Sequence, residues 1–291
     1  MTKQKDIFLL YFLLLIEFLV LLNSKTVIKS VLSSSSMFVS SIFPSLFPTM
    51  VIGLNLIKYG VDKIVPKFIK NIFKVLFNFD DVSSTIFITS MIAGTPSNAV
   101  FINDYLTRGL ISEKNAENLL CCTHFVNPLF VVGGVGVGVF NSAKIGFLIL
   151  LMTYASNLIK AFILRKNFEQ KNAKDNSTIS NSLIQNLQTA ILSCVKNLLL
   201  ILGIVIMFNV LVTLLSSIFN FNNFTSCLIN GLLEMTGGIM KLKTINITTP
   251  VKIMMAYYFL SFGGLCIQMQ AFSMITKIKI RYIKYLIFRI I

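Results

Sequence analysis

Residues 92–99 read Ile92-Ala-Gly-Thr-Pro-Ser-Asn-Ala99 and lie inside an apolar run that extends from 84 to 106. Thr95 can cap a helix and Pro96 suits the first helical position, so a new helix is predicted to begin within the run. Such a start leaves backbone N–H groups unpaired and carries a partial positive charge. The stretch therefore predicts a helix that is broken at Gly94 inside an apolar layer.

Seven further apolar runs accompany this stretch, at 7–22, 37–59, 118–140, 144–164, 198–219, 224–240 and 253–276. The residues are 55% hydrophobic and only 13% charged, whereas soluble proteins carry about 25% charged residues. A helix of about 20 apolar residues crosses a bilayer, and backbone groups inside lipid must be paired within the segment. The sequence therefore predicts an all-α, polytopic transmembrane protein with broken or re-entrant helices.

Glycine and proline interrupt these runs at several places. Proline removes a helical hydrogen bond and clashes with the preceding turn, so it kinks or ends a helix. A further predicted break lies between Gly231 and Gly238, within the run 224–240, and this stretch contains Glu234. The predicted helix breaks lie at Pro44, Pro48, Gly94, Pro96, Pro128, Gly263 and Gly264.

A polar segment divides the chain into two halves with similar patterns of interruption, which is typical of transporters built from inverted repeats. If 84–106 and 224–240 are re-entrant hairpins, the loops 58–74, 160–174 and 277–289 share the side of the N terminus. These loops hold most of the 26 Lys and Arg residues, which predicts that this side is cytoplasmic. The predicted units are an N-terminal membrane helix and connector (1–36), a first half (37–164), a cytoplasmic linker (165–182) and a second half (183–291).

Polar residues at two of the breaks are candidate substrate ligands. The N terminus of a helix favours anions, so Thr95, Ser97 and Asn98 are predicted to supply one half-site. Gln268 and Gln270 follow the glycine pair of the last apolar run and are predicted to face the first half-site. Capping of a buried helix and hydrogen bonding between helices are the structural alternatives for these residues.

Three further polar residues complete the candidate site. His124 could bind a substrate carboxylate or change its charge near neutral pH, and Asn127 precedes Pro128. Glu234 lies in a short apolar run, where ionisable groups tend to line transport pathways. The alternatives are a packed histidine with a backbone partner, an asparagine that pairs freed backbone groups and a glutamate at the membrane interface.

Several other functions are not supported. The net charge of +15 comes from Lys and Arg in loops beside apolar runs, a pattern of membrane proteins, so no nucleic-acid partner is predicted. The five cysteines lack metal-ligand spacing and the chain has one histidine, so no metal site is predicted. Hydrolase, Walker and zinc-protease motifs are absent from the sequence, so we expect no enzyme activity and no cofactor.

In its motifs the chain resembles the YlbJ-type sporulation integral membrane proteins, also called the stage V dipicolinate transporter group (SpoVV), which carry nucleoside-recognition, or Gate, domains. The resemblance implies export of dipicolinate from the mother cell toward the developing spore. It also implies a multi-pass protein of the bacterial cell membrane, and more specifically of the outer forespore membrane. The matching stretches are Phe43–Pro48, Gly94–Ala99, Arg108–Glu113, Asn127–Phe130, Leu233–Ile239 and Phe262–Gln270.

A lipid-processing or other membrane enzyme is a third reading, which the absence of a visible nucleophile–base pair disfavours, and two classes of function stay open beside it. The first is a transporter that holds a small anionic solute between broken helices, with dipicolinate as the first candidate and a nucleoside or other small solute as the second. A flat dianion suits helix N termini and amide donors. The second class is a non-transporting membrane scaffold in spore formation. The expected partners are the small-molecule substrate and the lipid bilayer, and a homo-oligomer is compatible with both classes.

Overall fold

The computed structural model describes residues 2–170, 182–276 and 280–290. No strand occurs within these ranges, so the prediction of an all-α protein is confirmed. Two π-helical segments, Phe38–Ile42 and Phe130–Val137, and a 3₁₀ turn, Arg165–Asn167, join the α-helices. The α-helices are α1 Thr2–Leu22, α2 Ser24–Met37, α3 Phe43–Lys58, α4 Val61–Ile64, α5 Lys67–Phe77, α6 Asp81–Ala93, α7 Ser97–Thr107, α8 Glu113–Cys122, α9 Gly138–Phe140, α10 Ala143–Leu164, α11 Leu183–Ile218, α12 Asn223–Leu233, α13 Met235–Lys241, α14 Thr249–Phe262, α15 Gly264–Met274 and α16 Tyr282–Ile290.

Several helical segments have the length and composition to cross a bilayer. Large apolar side chains on them face outward, and Leu199 of α11 is 62% exposed, as expected for a surface covered by lipid. The pair α5 and α6 would form a further span, but the two helices are bent by 98°. The chain is therefore a multi-pass membrane protein. The four clear candidate spans are Ser24–Lys58, Ala143–Asn167, Leu183–Ile218 and Thr249–Met274.

The first of these spans stays helical through both of its prolines. The π-helical turn Phe38–Ile42 directly precedes Pro44, and Pro48 lies inside α3. A wider turn ahead of a proline relieves the clash between the proline ring and the preceding carbonyl. The interruption predicted here is thus a widened turn, not a gap in the helix.

Both predicted hairpins are present as pairs of contacting helices. In the first hairpin α6 ends at Ala93 and α7 begins at Ser97, one residue later than predicted. Gly94 has φ of 76°, a conformation that glycine adopts at little cost, and it ends α6. In the second hairpin α12 and α13 are separated by Glu234 alone. The breaks predicted at Gly94 and in the run Gly231 to Gly238 both end helices, as expected.

The next apolar run in each half is also interrupted. In the first half α8 ends at Cys122, residues 123–127 are not helical, and Pro128 begins the next helix. In the second half α14 and α15 meet at Gly263 and Gly264, whose φ angles are 80° and 60°. The breaks predicted at Pro128 and at the glycine pair are therefore both present.

One order of elements occurs twice along the chain. A long helical segment is followed by a hairpin, an interrupted helix and a final helix, which is α10 in the first half and α16 in the second. One apolar core contains residues of both halves, including Met50, Phe101, Leu198 and Ala271. The division into repeats stays a prediction. Residues 171–181 of the predicted linker lie outside the described residues.

Close packing within the second hairpin depends on Gly238. A Cβ atom at this position would lie 2.3 Å from the Cα atom of Gly231 on α12. We expect Gly238→Ala to push α13 away from α12 and to lower the free energy of unfolding by about 1 to 3 kcal/mol. The check is the melting temperature of the purified protein. Gly203→Ala on α11, where no atom lies within 4 Å of the added Cβ, is the control; equal melting temperatures for the two variants would contradict this packing.

Candidate functional site

A small cavity lies where interruptions of both halves meet. Its volume is about 40 Å³, which is room for a few water molecules. The apolar part of its wall includes Ile201 and Val205 of α11. Four of the predicted ligands, Thr95, Asn127, Glu234 and Gln270, are among its polar lining residues, together with Ser45 and Thr236.

The tip of the first hairpin reaches the cavity through Thr95 and Pro96. The N–H of Thr95 donates to the carbonyl of Phe125 (2.7 Å), which holds the tip against the interruption after α8. Gly94 permits this approach, because a Cβ atom there would lie 2.6 Å from the backbone nitrogen of Asn127. The hydroxyl of Thr95 is buried and has no hydrogen-bond partner among the described residues. It can therefore bond to a solute.

Asn127 pairs backbone groups that the interruptions leave free. Its side-chain amide donates to the carbonyls of Ser45 (3.1 Å) and Ala93 (3.3 Å). Its side-chain oxygen accepts the N–H of Leu129 (2.9 Å) at the start of the following helix. Buried backbone groups without partners cost free energy comparable to a lost hydrogen bond. Asn127 therefore joins α3, the end of α6 and the helix that begins at Pro128.

Glu234 ends α12 and caps α13. Its two carboxylate oxygens accept the N–H groups of Thr236 (3.1 Å) and Gly237 (2.7 Å). The side chain is only 1% exposed. Among the described residues, no Lys, Arg or His lies within ion-pair distance of it. A buried ionisable group of this kind is costly without a compensating partner.

Gln270 brings α15 to the cavity. It is completely buried, and its amide nitrogen lies 3.2 Å from the sulfur of Cys266 one turn earlier. Its side-chain oxygen has no hydrogen-bond partner among the described residues. The cavity thus has two buried polar atoms available to a ligand, the hydroxyl of Thr95 and the amide oxygen of Gln270.

Two predicted ligands on the first hairpin lie away from the cavity lining. Asn98 donates from its side-chain amide to the hydroxyl of Thr123 (3.0 Å), which ties α7 to the end of α8. Ser97 is completely buried, and its hydroxyl has no hydrogen-bond partner within the described ranges. Neither residue lines the cavity. A direct role for them in substrate binding stays a prediction.

The other two predicted ligands that do not line the cavity hold the interrupted helices in place. His124 packs against the break between α14 and α15, because a Cβ atom at Gly263 would lie 2.6 Å from its Nε2 atom. Gln268 donates to the carbonyl of Phe262 (3.2 Å) and accepts a hydrogen bond from the hydroxyl of Tyr282 (3.0 Å). The two interruptions therefore touch each other directly.

Two buried cations lie at the C-terminal ends of the interrupted helices. Lys160 of α10 donates to the hydroxyl of Ser261 (3.4 Å) near the end of α14, and Arg289 of α16 donates to the carbonyl of Cys121 near the end of α8. Each cation thus contacts the broken helix of the other half, where the helix dipole favours positive charge. The prediction that Lys160 and Arg289 lie in loops is wrong, because they lie on α10 and α16, where each is only 1% exposed. A lysine inside the apolar run 144–164 was the one signal for this role in the sequence.

The cavity lining contains one acidic residue, Glu234, and no Lys, Arg or His. A buried charge requires a compensating partner. When Glu234 is ionised, a dianion would enter this cavity only together with positive charge, whereas a neutral polar solute would not need it.

The cysteines and acidic residues form no metal cluster in the part of the chain that the structure describes. No group of three or more His, Cys, Asp or Glu side chains lies close enough to hold a metal ion there. The five cysteines are buried and carry free thiols.

Comparison with known proteins supports the resemblance that the motifs indicate. The chain is similar over its whole length to the sporulation integral membrane protein YlbJ of Bacillus subtilis (strain 168). The two are 23% identical over an alignment of 329 positions, which covers 100% of this chain and 81% of that protein. No family model matches the chain, and no solved structure matches it. Assignment to the dipicolinate transporter group and to the Gate domains stays a prediction.

The structural role of Asn127 can be tested by replacing its amide. We expect Asn127→Leu to lower the free energy of unfolding by about 2 to 4 kcal/mol, because the carbonyls of Ser45 and Ala93 lose their shared donor. Asn55→Leu is the matched control, since the amide of Asn55 donates only to Val51 of its own helix (2.9 Å). Melting temperatures of the two purified variants measure the difference, and an equal decrease in both would argue against the bridging role.

Proposed function

We propose that this protein is a membrane transporter that carries a small polar solute during spore formation. The observation behind the proposal is that Thr95, Asn127, Glu234 and Gln270 line one cavity although they lie far apart in the sequence. Broken helices that bring polar groups to one site within the bundle are the arrangement used by transporters built from repeats. The similarity to a sporulation integral membrane protein supports a membrane role in sporulation.

Dipicolinate is the first candidate solute, and the outer forespore membrane is the corresponding location. Both come from the resemblance to the YlbJ-type proteins. Hydroxyl and amide groups of the cavity could bond to the carboxylates of a flat dianion. Because the lining holds Glu234 and no cation, dipicolinate would need accompanying positive charge to bind there.

A nucleoside is the second candidate, and the charge of the lining favours it. Thr95, Gln270 and Glu234 offer hydrogen-bonding groups without a positive charge, which suits an uncharged polar solute. The two candidates differ in one measurable property. Binding of a nucleoside should depend weakly on accompanying ions, whereas binding of dipicolinate should depend on them strongly.

Movement of the lining is part of the proposed cycle. A cavity of about 40 Å³ holds a few water molecules and neither candidate solute, so the described conformation corresponds to a closed state. Gating of one bundle against the other around a fixed site is the usual form of alternating access. The hairpin tips at Thr95 and Glu234 are the elements that we expect to move.

Uptake into proteoliposomes tests the proposal. Purified protein in liposomes is expected to accumulate dipicolinate or a nucleoside above the level of protein-free liposomes. Val205 lines the cavity and is 2% exposed, so Val205→Phe fills the cavity and should abolish uptake. Val212→Phe is the control, because Val212 lies on the same helix, is also buried and does not line the cavity. Absence of uptake of both solutes by the wild type, or full uptake by Val205→Phe, would refute the proposal.

Spore chemistry separates a transporter from a scaffold. In a sporulating strain whose own gene is replaced, Val205→Phe should give spores depleted of dipicolinate although the protein is present in the membrane at the normal level. Val212→Phe should give spores with normal dipicolinate. A scaffold would tolerate a filled cavity, so normal dipicolinate in both strains would rule out dipicolinate as the solute, and together with absent nucleoside uptake it would favour the non-transporting function.

A further inference from the structure

Three side-chain oxygens surround one point beside Gly237, at the start of α13. A Cβ atom at Gly237 would lie 3.3 Å from Oδ1 of Asn230, 3.4 Å from Oε2 of Glu234 and 3.8 Å from Oδ1 of Asn209. These side chains come from α11, from α12 and from the turn between α12 and α13. Because residue 237 is a glycine, no Cβ atom occupies the point that the three oxygens share.

The amide oxygens are turned toward this point by bonds inside their own helices. The amide nitrogen of Asn209 donates to the carbonyl of Val205 (3.1 Å), and that of Asn230 donates to the carbonyl of Ser226 (2.6 Å). With both nitrogens engaged in this way, each amide offers its oxygen, an acceptor, to the space beside Gly237. Acceptor oxygens that share one point are stabilised by a cation or by a hydrogen-bond donor placed between them.

The charge of the cluster also favours a cation between the three oxygens. Glu234 is 1% exposed and has no cationic partner among the described residues. Hard cations prefer carboxylate and carbonyl oxygens as ligands. One carboxylate balances one positive charge, so a monovalent ion leaves the buried cluster neutral, whereas a divalent ion leaves it charged.

We propose that Asn209, Asn230 and Glu234 bind a monovalent alkali-metal cation beside Gly237. Cation binding at this site does not require transport activity. Only the effect of the cation on solute movement rests on the proposed function. Glu234 also lines the solute cavity, so the cation offsets the negative charge that an anionic solute meets there. By thermodynamic linkage, the cation and the anionic solute then increase each other's affinity.

Cation binding is measured first without any solute. The melting temperature of the purified protein is compared in sodium chloride, potassium chloride and choline chloride at equal ionic strength. Sodium or potassium should raise it by about 5 °C relative to choline at concentrations well above the dissociation constant. Gly237→Ala places a methyl group between the oxygens and should remove this rise. Gly203→Ala, whose added Cβ meets no atom within 4 Å, should retain it.

A second variant keeps the test decisive if Gly237→Ala does not fold. Asn209 is half-buried on the long helix α11, and Asn209→Ala removes one ligand at a position that alanine tolerates well. The half-saturating cation concentration should increase by about tenfold. The proposal is overturned if the wild type melts at one temperature in all three salts. It is equally overturned if Gly237→Ala, or Asn209→Ala in its place, responds like the wild type.

The uptake assay separates failure of this site from failure of the transport function. Dipicolinate uptake in sodium or potassium chloride should exceed uptake in choline chloride, and Gly237→Ala should lower it at least tenfold. A cation-dependent melting temperature without uptake of any solute would refute the transport function and leave the cation site standing. Uptake that is equal in all three salts, with no change in melting temperature, would refute the cation site and leave the transport function standing.

Discussion

The structure depends on one constraint: a helix that ends inside a lipid-surrounded bundle must find partners for its last backbone groups. Water cannot supply these partners inside lipid. At two helix starts the partners are side chains, since Asn127 pairs groups around the helix that begins at Pro128 and Glu234 caps α13. At the end of α8 the partner of a backbone carbonyl is the cation Arg289, and near the end of α14 the cation Lys160 donates to the side chain of Ser261.

The cations connect the halves crosswise. Lys160, on the last helix of the first half, contacts the end of α14, and Arg289, on the last helix of the second half, contacts the end of α8. Each interrupted helix is therefore contacted near its C-terminal end by a cation of the opposite half. The contact of His124 with Gly263 brings the two interruptions together at the same level.

Two of the buried polar atoms that this pairing leaves without a partner belong to residues that line the cavity. Asn127 uses its whole side chain to join backbone segments, whereas Thr95 and Gln270 keep a buried oxygen without a partner. Unpaired buried atoms destabilise a fold unless a ligand or water meets them. Glu234 both caps α13 and lines the cavity, where it has no cationic partner among the described residues. In the proposed transporter, its carboxylate links the chemistry of the solute to that of an accompanying cation.

The sequence by itself determined that the protein is helical, that it lies in a membrane and where several of its helices end. The composition of a helix determines whether its surface faces water or lipid. Gly94, Gly263 and Pro128 interrupt helices through the geometry of their own backbone, which does not depend on distant residues. Which polar residues meet was decided only by the tertiary structure. Gln268 and Gln270 are two residues apart and therefore about 200° apart around their helix, so one packs beneath a break and the other lines the cavity. Lys160 and Arg289 likewise reach helix ends of the opposite half, and Asn209 lies near Glu234. No local sequence pattern predicts these contacts, because they depend on how distant helices pack.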